Sequence, residues 1–355
     1  MGRGPGTLEN LGVRRPDPGF WRGRRVLLTG HTGFKGAWLA LMLAQLGAHP
    51  IGAALPPDPA PSLFRLLQPP IADHVIDITE PDPIAALMQA ENPSVVLHLA
   101  AQALVPRGFA DPAGTFAANL AGTIHVMQAM RDTPGIEAAV MVTTDKVYRN
   151  LADGRRFRED DPLGGHDPYS ASKAACELAV SSWRASFAMP PMATARAGNV
   201  MGGGDFAPTR LVPDLVRARG GAPLVLRHPH ATRPWQHVLD VLVGYLLLAE
   251  NLAAGTAPDS INFGPDEADE ASVLDIIAGF EAAFGTGFSW TQAEAAPPEA
   301  ARLALDPTLA HNALAWRPRL DRIGCIAATA DWYAAWTRGE DMQARSQRAV
   351  REALA

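Results

Sequence analysis

Tyr169 and Lys173 stand four residues apart, just behind Asp167-Pro168. If Asp167 caps a helix and Pro168 opens it, both side chains fall on one face, about 6 Å apart along the axis. A phenol titrates near 10 and is a poor base at neutral pH, but a neighbouring ammonium lowers that value. The pair is then suited to taking a proton from a hydroxyl group. A second constellation, Thr144-Asp145-Lys146, follows the apolar run Ala138–Thr143. Thr144 is placed to hydrogen-bond both a substrate hydroxyl and Tyr169. Asp145 and Lys146 add an acid and a base that a simple dehydrogenation does not need, which points to an elimination on the oxidised substrate. Lys146 acts as a base only if burial or nearby cations promote loss of its proton; the alternative is a salt bridge to Asp145.

These residues need a frame. Arg25–Thr29 reads as a strand that runs into Gly30-His-Thr-Gly33-Phe-Lys-Gly36, and Phe34–Leu46 has helical periodicity up to Gly47. Glycines at that spacing permit a tight turn and let backbone approach a phosphate, and the helix N-terminus then faces the anion. Strand before and helix after supply the context such a turn requires, so it is expected to hold the pyrophosphate of a dinucleotide. Further strands are expected at His49–Ala54, His74–Ile78, Val95–Leu99, Ala138–Thr143, Met192–Ala197 and Ser260–Phe263. Helices are expected at Phe116–Met130, Ser170–Phe187, Leu211–Arg219 and Val238–Leu252, with a short strand at Leu224–Leu226. The alternation predicts an α/β fold with a doubly wound parallel sheet of the Rossmann kind, which binds ligands at the carboxyl ends of its strands.

The second strand ends Ala53-Ala54-Leu55, without the acid that often binds a ribose and without an Arg for a 2′-phosphate. NAD is therefore preferred over NADP, and its ribose contacts stay open. Asp77 is placed either to accept from the adenine amine or to cap its own loop. Leu99, Ala100 and Ala101 let a dinucleotide lie against backbone. Thr32, Phe34, Lys35, Ile78 and Thr143 complete the expected cofactor contacts, with Tyr169 and Lys173.

Composition excludes several classes. The chain has 355 residues, 47% hydrophobic and 19% charged, with net charge −6. That fits a globular protein and gives no reason to expect nucleic acid or an anionic membrane as partner. The Arg22, Arg24 and Arg25 cluster reads as a solvated edge. Cys176 and Cys325 fit no zinc spacing or disulfide framework, and His228 and His230 lack further ligands, so no metal is expected. Residues 1–20 lack the apolar core of a signal peptide and are expected to form a flexible extension. The most apolar runs are shorter than the roughly 20 residues a membrane helix needs. Residues 21–201 and 237–263 are assigned to the cofactor-binding domain. Residues 202–236 and 264–355 are assigned to a smaller, discontinuous α+β lobe for the substrate, with loops around 295–298.

Several stretches carry a resemblance: Phe20-Trp21, Gly30–Gly36, His98-Leu-Ala-Ala-Gln102, Thr144-Asp-Lys146, Asp161-Pro-Leu-Gly-Gly165, Tyr169 with Lys173, Arg196-Ala-Gly-Asn-Val200 with Gly202-Gly-Gly-Asp205, and Arg233-Pro-Trp-Gln-His237. Over about residues 20–340 the chain resembles the extended short-chain dehydrogenase/reductase family. Within it, the chain resembles the NAD-dependent nucleotide-sugar epimerase/dehydratase group, most of all its members that act on CDP-glucose. The resemblance implies that a hydride passes from glucose C4 to bound NAD and returns to C6, with Tyr169 as base. Lys146 would assist deprotonation at C5, and Asp145 would protonate the departing C6 hydroxyl. The product would be CDP-4-dehydro-6-deoxy-D-glucose, for deoxysugar and surface polysaccharide synthesis. The same resemblance implies substrate contacts from Gln102, Arg107, Asn199, Leu211, Val225, Arg227 and Arg233, a cytoplasmic location, and a homodimer or homotetramer. Departures fall at Ala103-Leu-Val-Pro106-Arg107-Gly-Phe109, where Arg is displaced by one position and a Tyr is absent, at Phe206, and at the shortened Ala188–Pro191. Two other readings share the fold: a 4-epimerase, which needs Tyr and Lys but not the Asp145/Lys146 pair, and a non-catalytic cofactor-binding regulator.

Overall fold

Seven strands form one all-parallel sheet in a computed structural model that describes residues 13–294 and 300–355. They are β1 (Arg25–Thr29), β2 (His49–Ala54), β3 (Ala72–Val75), β4 (Val95–His98), β5 (Ala138–Val142), β6 (Met192–Ala197) and β7 (Ser260–Phe263). Their order is β7-β6-β5-β4-β1-β2-β3. The chain leaves the centre in one direction through β1, β2 and β3 and in the other through β4 to β7. The crossing point between β1 and β4 opens a crevice at their carboxyl ends. There Thr29 pairs with His98 and Ala53.

The central strands are apolar on both faces because helices cover both. One face carries α1 (Phe34–Gln45) and α6 (Val238–Ala253); the other carries α2 (Pro81–Glu91), α3 (Gly122–Arg131) and α4 (Pro168–Ser186). Every residue of α6 from Val238 to Leu252 is buried. Such a helix has no polar face and is held wholly by packing, at about 1.5–3 kcal/mol for each large apolar side chain. Helices α5 (Leu211–Ala218), α7 (Val273–Phe284), α8 (Arg322–Thr337) and α9 (Met342–Leu354) close the remaining side. One core cluster runs from Leu28, Trp38 and Leu242 to Ile276, Phe280 and Tyr333, so the later helices share the core of the sheet.

Four expectations change. The third strand lies at Ala72–Val75 rather than His74–Ile78. It is an edge strand and largely exposed, so it shows no run of buried residues to mark it. Residues 13–20 are packed: Arg14 pairs with Glu250, and Asp17 caps a turn at Pro18–Trp21. Residues 1–12 and the loop at 295–298 lie outside the described residues. The helix expected at Phe116–Met130 is interrupted by a π-helical turn at Ala117–Ala121, and α2 was not foreseen.

Candidate active site

The turn after β1 is built for an anion. Gly30 has φ +75°, and a Cβ there would lie 2.8 Å from the Ala100 nitrogen. A Cβ on Gly36 would lie 2.1 Å from the Gly30 oxygen. Both glycines are required by the fold itself. Gly33 differs, for it is exposed and the nearest atom to a Cβ there is 3.4 Å away. It is the N-cap of α1 without a side-chain cap, so the first N–H groups of that helix are left for an anion. Leu99, Ala100 and Ala101 are half-buried beside it. These features fit the pyrophosphate and nicotinamide side of NAD.

The ribose end is as the sequence indicates: β2 ends in Ala53-Ala54, and Thr32 donates to the Leu55 carbonyl at 3.0 Å. His31 turns inward, bonds Asp73 of β3 at 2.8 Å and fills the space that a side chain at Gly52 would take. Asp77 accepts from the Thr79 N–H and hydroxyl at 2.9 and 2.8 Å, the loop-capping role. Ile78 is buried against Gly122.

Beneath the turn lies a closed polar chain. The Thr29 hydroxyl accepts from the Leu99 and Ala100 N–H groups at 3.1 Å each, so it donates to His98 Nδ1 at 2.8 Å. His98 Nε2 then donates to Thr123 at 3.0 Å, and Thr123 donates to the Asn119 carbonyl at 2.6 Å. Burial and the Lys173 ammonium lower the His98 pKa to about 3, so the ring is neutral.

Asp167 caps α4 through the Ser170 N–H, and Tyr169 and Lys173 are both buried on one face. Lys173 donates to the Val142 carbonyl at 2.9 Å. Burial lowers its pKa, while Cys176 and Glu177 oppose that effect. Burial pushes Tyr169 up to about 12, against the Thr144 hydroxyl and the Arg210 guanidinium, which lower it. Thr144 donates to Asp145 Oδ1 at 3.0 Å. Asp145 is buried, which raises its pKa, although Lys146, Arg233 and Lys35 are near enough to lower it. Its Oδ2 has no partner among the described residues. A carboxyl held this way can carry a proton, and one of its oxygens is left unpaired inside the fold. Lys146 is half-buried beside it. Lys35 donates to Tyr245 at 3.3 Å, and burial lowers its pKa to about 7.

The expected substrate residues separate. Asn199 and Leu211 are half-buried, and Arg233 is buried near Asp145 and donates to the Thr232 and Ala300 carbonyls at 2.9 and 2.8 Å. Arg227 is half-buried and Val225 exposed on the short strand Leu224–Leu226. Arg107 is exposed on a short helix, Val105–Ala110. Gln102 has both ends of its amide engaged, with Thr115 of the short helix Pro112–Phe116 at 2.9 Å and with the Leu104 N–H of its own loop at 2.6 Å. The Thr143 hydroxyl, expected at the cofactor, turns to Glu177 instead.

Sequence reasoning missed Arg210. It precedes α5, is 36% exposed in the cleft, and is held by Asp205 at 3.0 Å. Asp205 is fixed in turn, since Tyr333 donates to its carbonyl at 2.5 Å. Arg210 is the residue before Leu211, but nothing local signals that it faces Tyr169.

A Rossmann sheet with a tyrosine–lysine base and an anion-binding turn defines a dinucleotide-dependent enzyme of small molecules. The chain belongs to the NAD dependent epimerase/dehydratase family, whose model matches residues 26–264. It is 38% identical to the CDP-glucose 4,6-dehydratase of Salmonella typhimurium, over 94% of this chain and 97% of that one. It is 27% identical to a dTDP-glucose 4,6-dehydratase of Xanthomonas campestris, over 76% and 82%. Among solved structures, a UDP-glucose 4-epimerase of Thermus thermophilus in complex with NAD matches with TM-score 0.77 and 25% identity, over 87% and 99%. A dTDP-glucose 4,6-dehydratase of Streptomyces venezuelae shares the fold with TM-score 0.79 at 24% identity, over 89% and 98%.

Among the described residues no helix is long and apolar enough to cross a membrane, and no three His, Cys, Asp or Glu side chains converge on a metal position.

Proposed function

We propose that the chain is a CDP-glucose 4,6-dehydratase, a hydro-lyase that forms CDP-4-dehydro-6-deoxy-D-glucose. The observation that carries this is the Asp145 carboxyl beside the Tyr169 pair: buried, raised in pKa and with one oxygen left without a hydrogen-bond partner among the described residues. An epimerase needs no such acid. The 38% identity to a CDP-glucose dehydratase over nearly the whole chain supports the choice of nucleotide.

The Gly30–Gly36 turn would hold NAD, which would supply a reversible acceptor for the C4 hydride. Tyr169 takes the proton of the 4-hydroxyl, with Thr144 orienting that hydroxyl. Lys146 removes the proton at C5, and Asp145 gives its proton to the leaving 6-hydroxyl. Arg233, Asn199, Leu211 and Arg210 line the cleft where the diphosphate lies, and Arg suits it through its bidentate fork. Val225 and Arg227 face the nucleotide, with residues 202–236 and 264–355 as the substrate lobe. The enzyme works in the cytoplasm as a homodimer or homotetramer; Leu178 is the one large apolar side chain that α4 exposes, at 61%.

A panel of CDP-, UDP-, dTDP- and GDP-glucose tests the reading. Water release and a 4-keto product from CDP-glucose are expected. A 4-epimer formed without water release assigns the chain to the epimerases.

A further inference from the structure

Behind the reacting face, α4 carries one more buried carboxyl. Tyr169, Lys173 and Glu177 follow at four-residue steps and lie on one stripe. The Glu177 carboxylate has four donors: the hydroxyls of Thr143 and Thr194, the latter at 2.7 Å, and Arg196 Nε and NH2 at 3.0 and 2.8 Å. Arg196 continues to the Tyr148 hydroxyl at 2.7 Å and the Glu159 carbonyl at 2.9 Å. Tyr148 donates to Asn262 of β7 at 2.7 Å. One ion pair therefore ties α4, β5, β6, β7 and the segment that follows Lys146.

A buried ion pair is weak evidence for stability, because well-packed apolar residues often hold a core as firmly. What a fully satisfied network adds is fixed position. Two consecutive residues at the end of β5 are fastened to α4: Val142 by its carbonyl to Lys173, and Thr143 by its hydroxyl to Glu177. The next residue is Thr144. We propose that Glu177, clamped by Arg196, is a positioning residue that sets the register of Thr144 against Tyr169. The inference rests on the roles given above to those two residues.

The same carboxylate bears on charge. Glu177 and Cys176 face the Lys173 ammonium from its own helix, Lys35 faces it from α1, and His98 from β4. Glu177 is the one carboxylate among these groups, so its removal disfavours the ammonium.

Glu177→Gln and Glu177→Asp test the proposal. The first removes the charge; the second keeps the pair with Arg196 but draws back from Thr143. Hydrogen exchange in the cofactor-free protein is expected to show lost protection at residues 143–146 while Val26–Leu28 of β1 stay protected. kcat is expected to fall about tenfold to a hundredfold with KM little changed, the scale of a small misplacement of reacting groups. The basic limb of the kcat–pH profile moves to lower pH in the Gln variant and stays in place in the Asp variant. Protection lost evenly across the sheet, or parental kcat in a variant with loosened 143–146, overturns the proposal. If Glu177→Gln fails to fold, Glu177→Asp carries the exchange and kcat tests alone. Kinetics use whichever nucleotide sugar the panel identifies, so a wrong substrate assignment leaves this test standing.

Discussion

The Lys173 ammonium rests on the Val142 carbonyl at 2.9 Å rather than on the Tyr169 phenol. Among the chain's own groups, the cation that acts on that phenol is Arg210. Tyr169 is thus a base made in parts: Thr144 and Arg210 are in place, and the positive nicotinamide ring completes it.

That arrangement predicts how Tyr169 titrates. The other three tyrosines, Tyr148, Tyr245 and Tyr333, are pushed further above their ordinary value than Tyr169, which stands at about 12. Tyrosinate absorbance should therefore first rise with Tyr169, and at lower pH once NAD is added. Tyr169→Phe should remove that first step and lower turnover by about a hundredfold or more, the usual share of a positioned base. NAD affinity should remain. A first ionisation that survives the substitution would place the lowest phenol elsewhere.

The glycines of the turn should not behave alike. Gly36→Ala puts a methyl 2.1 Å from the Gly30 oxygen, so the turn must open. A drop in melting temperature and poor yield are expected. Gly33→Ala meets no atom closer than 3.4 Å and should fold normally. Gly33 is the N-cap of the helix end left for the anion, so NAD titration should show weakened binding at unchanged melting temperature. Equal behaviour of the two variants would remove the distinction between a glycine the fold needs and one the ligand needs.

Much of this was legible in the sequence, for local reasons. Six of the seven strands stand where apolar runs put them, because strands covered on both faces are apolar throughout. The edge strand Ala72–Val75 has no buried face to mark it, and Asp77 fell outside it as a result. The Tyr169–Lys173 pair is a four-residue spacing on one helix, and Asp145 is next to Thr144. By contrast, Glu177 meets Arg196 from a different element, and Arg210 meets Tyr169 across the cleft. Gln102 looked free to bind substrate, but the fold brings Thr115 to it. Such pairings depend on tertiary approach, which residue type and spacing do not encode.

His98 gives a pH dependence of stability. Its folded pKa is about 3 against 6.5 for the free side chain. The unfolded chain then binds the proton more readily, so the stabilisation is complete above pH 6.5 and is lost as pH falls toward 3. Over that window the loss is on the order of 4 kcal/mol for a fully buried ring. His98→Asn should lower the melting temperature at pH 7, through the broken Thr29–Thr123 chain, yet flatten its fall between pH 6.5 and 4. A variant with the same acid slope as the parent would assign that slope to other groups.

Asp145 should show the opposite sign and a conflict between stability and function. Its folded pKa is raised above the ordinary 3.8 by burial, so the folded protein holds the proton more readily. Its stabilising share is present below pH 3.8 and is lost as pH rises through the raised value. Asp145→Asn cannot ionise, so it should melt higher than the parent near neutral pH and equally at pH 3.5. It should still oxidise C4 of the substrate, which appears as reduced cofactor in a single turnover. It should not release water at an appreciable rate, because the acid for the 6-hydroxyl is gone. If the variant neither gains stability at neutral pH nor accumulates reduced cofactor, then Asp145 is ionised in the parent and the proton for elimination comes from another group.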